Sequence, residues 1–219
     1  IVLEYYFNDH DASKPWYWAS AGKSLTSILV AFAESENKLK LTDASSKYLG
    51  KGWTSCTEAE EENITVWNHI TMTTGLDDLL CFDCLDAPNL KCLADPGTRW
   101  AYHNSPYTLL DGVIEGATGK NLNVYFKEKL GDKIGMTGLF VMSGNNNVFY
   151  STGRNAARFG LFALANGYWD GNKILNNETY INQMKNSSQD INPSYGYLWW
   201  LNGKNKLMLP TLQVMFNRD

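Results

Sequence analysis

Ser20 and Lys23 form an S-x-x-K pair at the head of a run that reads as a helix. Residues three apart on a helix share a side, so the hydroxyl and the amine are placed as neighbours. A serine hydroxyl is a poor nucleophile until a base takes its proton. A lysine desolvated in an apolar pocket can be that base, because burial disfavours its charged form. A serine in a helix's first turn also presents an unpaired backbone N–H, which can bind a developing oxyanion. The pattern is short, and a second copy runs from Ser35 to Lys38. That copy lies where the helix passes into polar residues and reads as a solvated helix end.

The elements that must hold this pair can be read from periodicity. Leu25, Ile28, Leu29 and Phe32 follow at i, i+3, i+4, i+7 and predict a helix from Ser20 to about Glu36–Asn37. Ahead of it, residues 1–7 read as a strand, and residues 13–18 as a loop carrying Trp16, Tyr17 and Trp18. Thr42 or Asp43 is expected to cap one further turn. Residues 64–72 predict a short helix stopped at Gly75, and Pro96-Gly97 turns the chain towards Trp100–Asn104. Ser105 then reads as an N-cap with Pro106 at the first helical position, and the helix behind it runs to Gly119. Asn121 caps the next helix. Residues 140–142 and 148–150 bracket a Gly-Asn turn. A helix over 152–165 buries Ala156, Phe159 and Ala163, and another starts at Asn176–Glu178. Residues 195–201 read as a strand, with Asn202-Gly203 as its hairpin turn.

Short β pieces at the two ends and a helical middle predict an α+β fold. One domain over 1–219 is expected. Its sheet part is drawn from 1–19 and 190–219 and its mainly helical part from 20–189.

Composition narrows the function. Hydrophobic residues make up 44% and charged residues 19% of the chain, the make-up of a globular domain rather than a disordered one. The net charge of −4, without a basic block, argues against a nucleic-acid surface. No run is long and apolar enough to read as a membrane helix. Cys56, Cys81, Cys84 and Cys92 cluster in a polar region and read as one or two disulfides, pairing open. That favours a periplasmic or secreted location. A zinc site beginning at Cys81–Cys84 is the weaker alternative, since no second C-x-x-C or paired His supports it. The chain opens directly into the predicted first strand and so reads as truncated.

Several segments together resemble the serine β-lactamase and penicillin-binding-protein superfamily, most nearly its class C-like branch with family VIII carboxylesterases and D-Ala-D-Ala carboxypeptidase relatives. Ser20–Lys23 is similar to that family's first motif. Ile64-Thr65-Val66 through Met72-Thr73-Thr74-Gly75-Leu76 resembles a second segment. Pro96-Gly97, Trp100, Tyr102-His103-Asn104, Tyr107 and Leu109-Leu110 resemble the segment carrying the Y-x-N motif. Tyr195-Gly196-Tyr197-Leu198-Trp199-Trp200 resembles its aromatic strand. Y-x-N also occurs at Tyr6–Asn8 and Tyr180–Asn182, which read as a strand end and a helix.

The resemblance implies a β-lactamase/transpeptidase-like fold, an antiparallel sheet flanked by helices plus a mostly helical lobe. It implies acyl transfer with Ser20 as nucleophile and with Lys23 and Tyr102 sharing the proton work. Asn104 would orient Lys23 or the substrate. Trp18 and His103 are carried as candidate substrate contacts, although His103, between the two motif residues, is expected to point away, with a cleft-lining role as the alternative. No metal or cofactor is called for. The expected substrate is a small-molecule ester or amide, with esters favoured because aromatics precede Ser20; oligomeric state is left open. The family's third motif, K-T-G or H-x-G, has no counterpart after Trp200, while Lys129–Gly131 and Lys133–Gly135 have K-x-G form but read as helical. Three readings stand: a carboxylesterase, a β-lactamase or D-Ala-D-Ala carboxypeptidase-type peptidase, and a non-catalytic binding protein of the same fold.

Overall fold

The central helix α1, Ala21–Ser35, follows the predicted periodicity, and Leu25, Ile28, Leu29 and Phe32 all lie in the core. The computed structural model describes residues 3–217. In it α1 packs chiefly against α5, Asn104–Thr118, whose Leu110, Val113 and Ile114 are buried, and more lightly against α9, Glu178–Met184. Burying side chains of this kind contributes about 1.5–3 kcal/mol each. Between α1 and α5 lie three short helices: α2, Ser46–Leu49; α3, Glu58–Asn63; and α4, Val66–Thr71. After α5 come α6, Leu122–Phe126, a π-helical turn over Lys127–Gly131, and α7, Asp132–Ile134. Both K-x-G triplets therefore fall in or beside helical turns.

The sheet around the site is antiparallel. Strand β1, Trp16–Tyr17, pairs with β3, Asn146–Ser151, which pairs in turn with β2, Leu139–Ser143. The β2–β3 hairpin turns at Gly144, which takes a φ of 62°. Helix α8, Gly153–Leu164, follows, capped by the Thr152 side chain. It buries Phe159, Phe162 and Ala163, whereas Ala156 is exposed, so its buried face is rotated from the predicted one. Two small hairpins complete the described chain: β4, Tyr168–Trp169, with β5, Asn172–Lys173, and β6, Lys206–Met208, with β7, Met215–Asn217.

Several expected elements are corrected. The predicted first strand has its first two residues outside the described range, and residues 3–7 form no strand. The two ends of the chain do not share a sheet: β1 pairs with β3, and β6–β7 is a separate hairpin. Residues 195–201 are a tight turn rather than a strand, closed by a single bridge between Tyr195 and Trp200. Leu198 sits there at a left-handed φ of 59°. At Gly196 a Cβ would stand 2.1 Å from the Met184 carbonyl oxygen, so the turn needs glycine. Asn202-Gly203 is consequently not a hairpin turn between paired strands. Helix α5 begins at Asn104 with His103 in the cap position, not at Ser105.

Candidate active site

Ser20 stands at the N-cap of α1, where the chain leaves β1 through a constrained turn. Ala19 takes a φ of 47°, a conformation costly for a residue with a Cβ, and the turn reverses the chain into the helix. Trp18 fixes the approach. Its N–H donates to Phe149 O at 2.8 Å, its indole Nε1 donates to Ser151 Oγ at 2.8 Å, and its ring packs edge-on against Phe149. Among the described residues the Ser20 N–H has no backbone partner, while Ala21, Gly22 and Lys23 N–H bond back to Trp18, Ala19 and Ser20 carbonyls. The Ser20 residue itself is exposed.

One turn deeper, Lys23 is 2% exposed. Its Nζ donates to Asn104 Oδ1 at 2.7 Å and lies 4.4 Å from the Tyr107 ring centre and 5.3 Å from that of Tyr102. Burial pulls its pKa down from 10.5 to about 8, with no charged partner offsetting the desolvation. Tyr102 is buried and its pKa is pushed up by that burial, a rise that the nearby Ser20 hydroxyl and Trp200 indole oppose. The structure thus brings Ser20, Lys23, Tyr102 and Asn104 together. The pieces come from three separate parts of the chain: the head of α1, the segment before α5, and the first turn of α5.

The two remaining candidates fall elsewhere. His103 is 1% exposed, and its Nδ1 lies 2.9 Å from Ala101 O. Burial lowers its pKa to about 4. It points inward, so the cleft-lining alternative is not met: Tyr102 and Asn104 alternate towards the site and the residue between them faces the core. Trp18 is half-buried, and its indole nitrogen is taken by Ser151. It positions Ser20 and offers its ring face to an apolar hollow of about 440 Å³ shared with Ala21, Ser24, Phe159 and Trp199.

Three groups at the site were not singled out by sequence reasoning. Trp200, 42% exposed, packs on Tyr102 with ring centres 5.5 Å apart. Its turn is clamped to the scaffold, since Leu198 N–H donates to Ile70 O at 2.8 Å and Ser24 Oγ to Leu198 O at 3.0 Å. Tyr107 lies under the lysine. Phe82 accepts the Asn104 N–H on its carbonyl at 2.8 Å, and the Ser105 N–H at 3.4 Å. It therefore caps α5 from within the cysteine-bearing loop. The aromatic run at 195–200 and the Tyr five residues after Tyr102 were visible signals. The Phe82 contact leaves no trace in sequence.

The cysteines are disulfides, Cys56–Cys92 and Cys81–Cys84. Among the described residues no cluster of His, Cys, Asp and Glu is arranged to hold a metal ion, so the zinc alternative is not supported. No helix among the described residues is long and apolar enough to cross a membrane.

An antiparallel sheet packed beside helices is the β-lactamase/transpeptidase-like fold. The β-lactamase family profile matches residues 1–216, and the chain belongs to that family. Members of the β-lactamase-fold superfamily are serine hydrolases. A protein assigned as a β-lactamase from Bacteroides dorei DSM 17855 superposes with a TM-score of 0.76 at 19% identity, over 91% of this chain and 69% of that one. One assigned as a 6-aminohexanoate-dimer hydrolase from Bacillus anthracis gives 0.76 at 21%, over 94% and 64%. A penicillin-binding protein from Bacillus halodurans gives 0.65 at 18%, over 87% and 71%. At these identities the likeness is one of fold, and the chain spans only part of its neighbours' lengths, 69% and 64% of the first two and 53% of a penicillin-binding protein homologue from Pyrococcus abyssi. No curated protein sequence matches the chain.

Proposed function

We propose that this chain carries the acylating centre of a serine hydrolase, in the class C-like branch of the superfamily, acting on carboxylic esters. The observation that carries the reading is Lys23. It is buried and free of carboxylate partners, bonded to Asn104 Oδ1 at 2.7 Å, and one helical turn from Ser20. Such an amine gives up its proton just above neutral pH and can then act as a base.

Ser20 Oγ attacks the substrate carbonyl carbon while its proton passes to Lys23, with Tyr102 as the bridging phenol. The oxyanion is met by the Ser20 N–H at the helix head. Lys23 and Tyr102 then return the proton to the leaving alkoxide as the carbonyl re-forms, giving the acyl-enzyme. Water attacks the acyl carbon, its proton is taken by the same pair and given back to Ser20 Oγ, and the carboxylic acid leaves. The apolar hollow formed by Trp18, Phe159 and Trp199 supports an apolar acyl group. The disulfides support an oxidising, periplasmic or extracytoplasmic setting.

Amide hydrolysis is the second reading, favoured by the fold shared with a protein whose assigned substrate, the 6-aminohexanoate dimer, is an amide. A fluorophosphonate or fluorescent penicillin probe tests the common step. Covalent labelling is expected in the wild type and lost in Ser20→Ala; no labelling of the wild type favours a non-catalytic binding protein instead. Hydrolysis of p-nitrophenyl acetate or butyrate is expected to exceed that of a chromogenic cephalosporin. Faster turnover of the cephalosporin overturns the ester assignment.

A further inference from the structure

The lysine is flanked by two phenols, yet the reaction uses only one. Tyr102 faces the nucleophile. Tyr107, one turn into α5, is 1% exposed and turns its ring face to Lys23 Nζ at 4.4 Å, closer than the Tyr102 ring at 5.3 Å. Its hydroxyl points away from the site and donates to the backbone carbonyl of Asn147 on β3 at 2.7 Å. The Asn147 side-chain amide in turn donates to Asp111 Oδ2, one turn further along α5. The ring is therefore gripped at its far end by a strand that is itself tied back to the same helix. An aromatic face carries negative potential and attracts a cation, most strongly where water is excluded.

We propose that Tyr107 is a positioning residue for Lys23: its clamped ring face fixes the amine beneath Ser20 and stabilises the ammonium form that the lysine takes after accepting the serine proton. The role rests on the reading of Lys23 as the base.

The groups facing the amine can be named by element. Ser20 comes from the head of α1 itself, Tyr102 from the segment before α5, and Asn104 and Tyr107 from α5. Asp111 and Asn147 stand one layer behind the Tyr107 ring, and Trp200 reaches the site through Tyr102. Asn104 Oδ1 takes the amine's hydrogen bond at 2.7 Å, and beyond it the Tyr107 ring face at 4.4 Å is the nearer of the two aromatic faces that can compensate a cation there.

The test reads the lysine directly. Lys23 is titrated by nitrogen-15 or carbon-13 NMR in protein carrying Ser20→Ala, where turnover cannot interfere. Tyr107→Phe keeps the ring face and loses the Asn147 bond. Tyr107→Leu removes the face. Tyr107→pentafluorophenylalanine keeps the shape and reverses the ring's potential, so it remains informative if the leucine variant fails to fold. The Lys23 midpoint is expected to hold in the Phe variant and to fall by about one unit or more in the other two, about a tenfold change in proton affinity. A midpoint common to all variants leaves Tyr107 as packing alone and overturns the inference. Absence of probe labelling at Ser20 overturns the catalytic reading instead, and the titration still reports on the ring.

Discussion

The proposed chemistry turns on how a single amine is denied water. Lys23 gives up hydration and donates one hydrogen bond, from its Nζ to Asn104 Oδ1, with two aromatic faces beside it. Its pKa near 8 sets a pH profile with a definite sign. The base must be neutral to accept the Ser20 proton, so acylation is expected to rise as pH passes through about 8 and to level above it, measured as the pre-steady-state rate with p-nitrophenyl acetate. Asn104 decides how far that midpoint can move. Asn104→Asp sets a carboxylate where the amide oxygen now sits, which favours the ammonium form. The midpoint should rise by about one to three units, and the rate at pH 7 should fall at least about tenfold. An unmoved midpoint in the Asn104→Asp variant would show that Lys23 is not the titrating base.

At the scale of elements, the site depends on the loop that joins α4 to α5 as much as on the helices. Phe82, between Cys81 and Cys84, caps the first turn of α5 through its carbonyl and so holds Asn104 against Lys23. The other disulfide, Cys56–Cys92, closes a span of 36 residues and makes no hydrogen bond to the α5 cap among the described residues. The two should separate on mutation. Cys56→Ser/Cys92→Ser is expected to lower stability by about 4 kcal/mol in the chain-entropy view, read by urea unfolding. Cys81→Ser/Cys84→Ser closes a much shorter loop, so stability should change less, while acylation slows as Asn104 loses its anchor. Equal loss of activity in both double variants would detach the Cys81–Cys84 loop from the site. This division was not legible in the sequence, which left the pairing open. Local signals did succeed where one element decides the outcome: the apolar stripe of α1, the Gly-Asn turn of the β2–β3 hairpin, and the cap at Asn121. They failed where a distant partner overrides local preference. The aromatic run at 195–201 has strand composition, but Leu198 N–H bonds Ile70 O and bends it into a turn. Ser105 has cap chemistry, but Phe82 O supplies the cap from outside. The inward turn of His103 depends on which face of the Tyr102–Asn104 segment meets the core, and single-sequence spacing does not fix that.

Across the whole molecule, two buried imidazoles stand beside the start of α5, where it meets α4. His69 on α4 lies 2.9 Å through Nδ1 from Pro106 O in the first turn of α5, and His103 lies 2.9 Å from Ala101 O just before it. Burial lowers both pKa values from 6.5 to about 4. Between those values the unfolded chain binds protons that the folded chain refuses, so each histidine contributes stability above pH 6.5 that is lost as pH falls towards 4. The loss is at most about 3 kcal/mol per group. Asp111 works the other way. Its burial raises its pKa from 3.8 to about 7, so the folded state keeps a proton there and its contribution declines as pH rises through the same range. Lys23 begins to titrate only near 8 and leaves this window untouched. The net slope of the wild type is thus a difference of opposing parts, and the informative measurement is a comparison. His69→Gln and His103→Gln each remove one of the two acid-labile contributions. The fall in Tm of either variant between pH 6.5 and 4 should therefore be shallower than that of the wild type, whatever its Tm at neutral pH. Wild-type and variant curves that run parallel through that range would mean that the imidazoles are protonated in the folded state, and that α4 and α5 meet around charged rather than neutral rings.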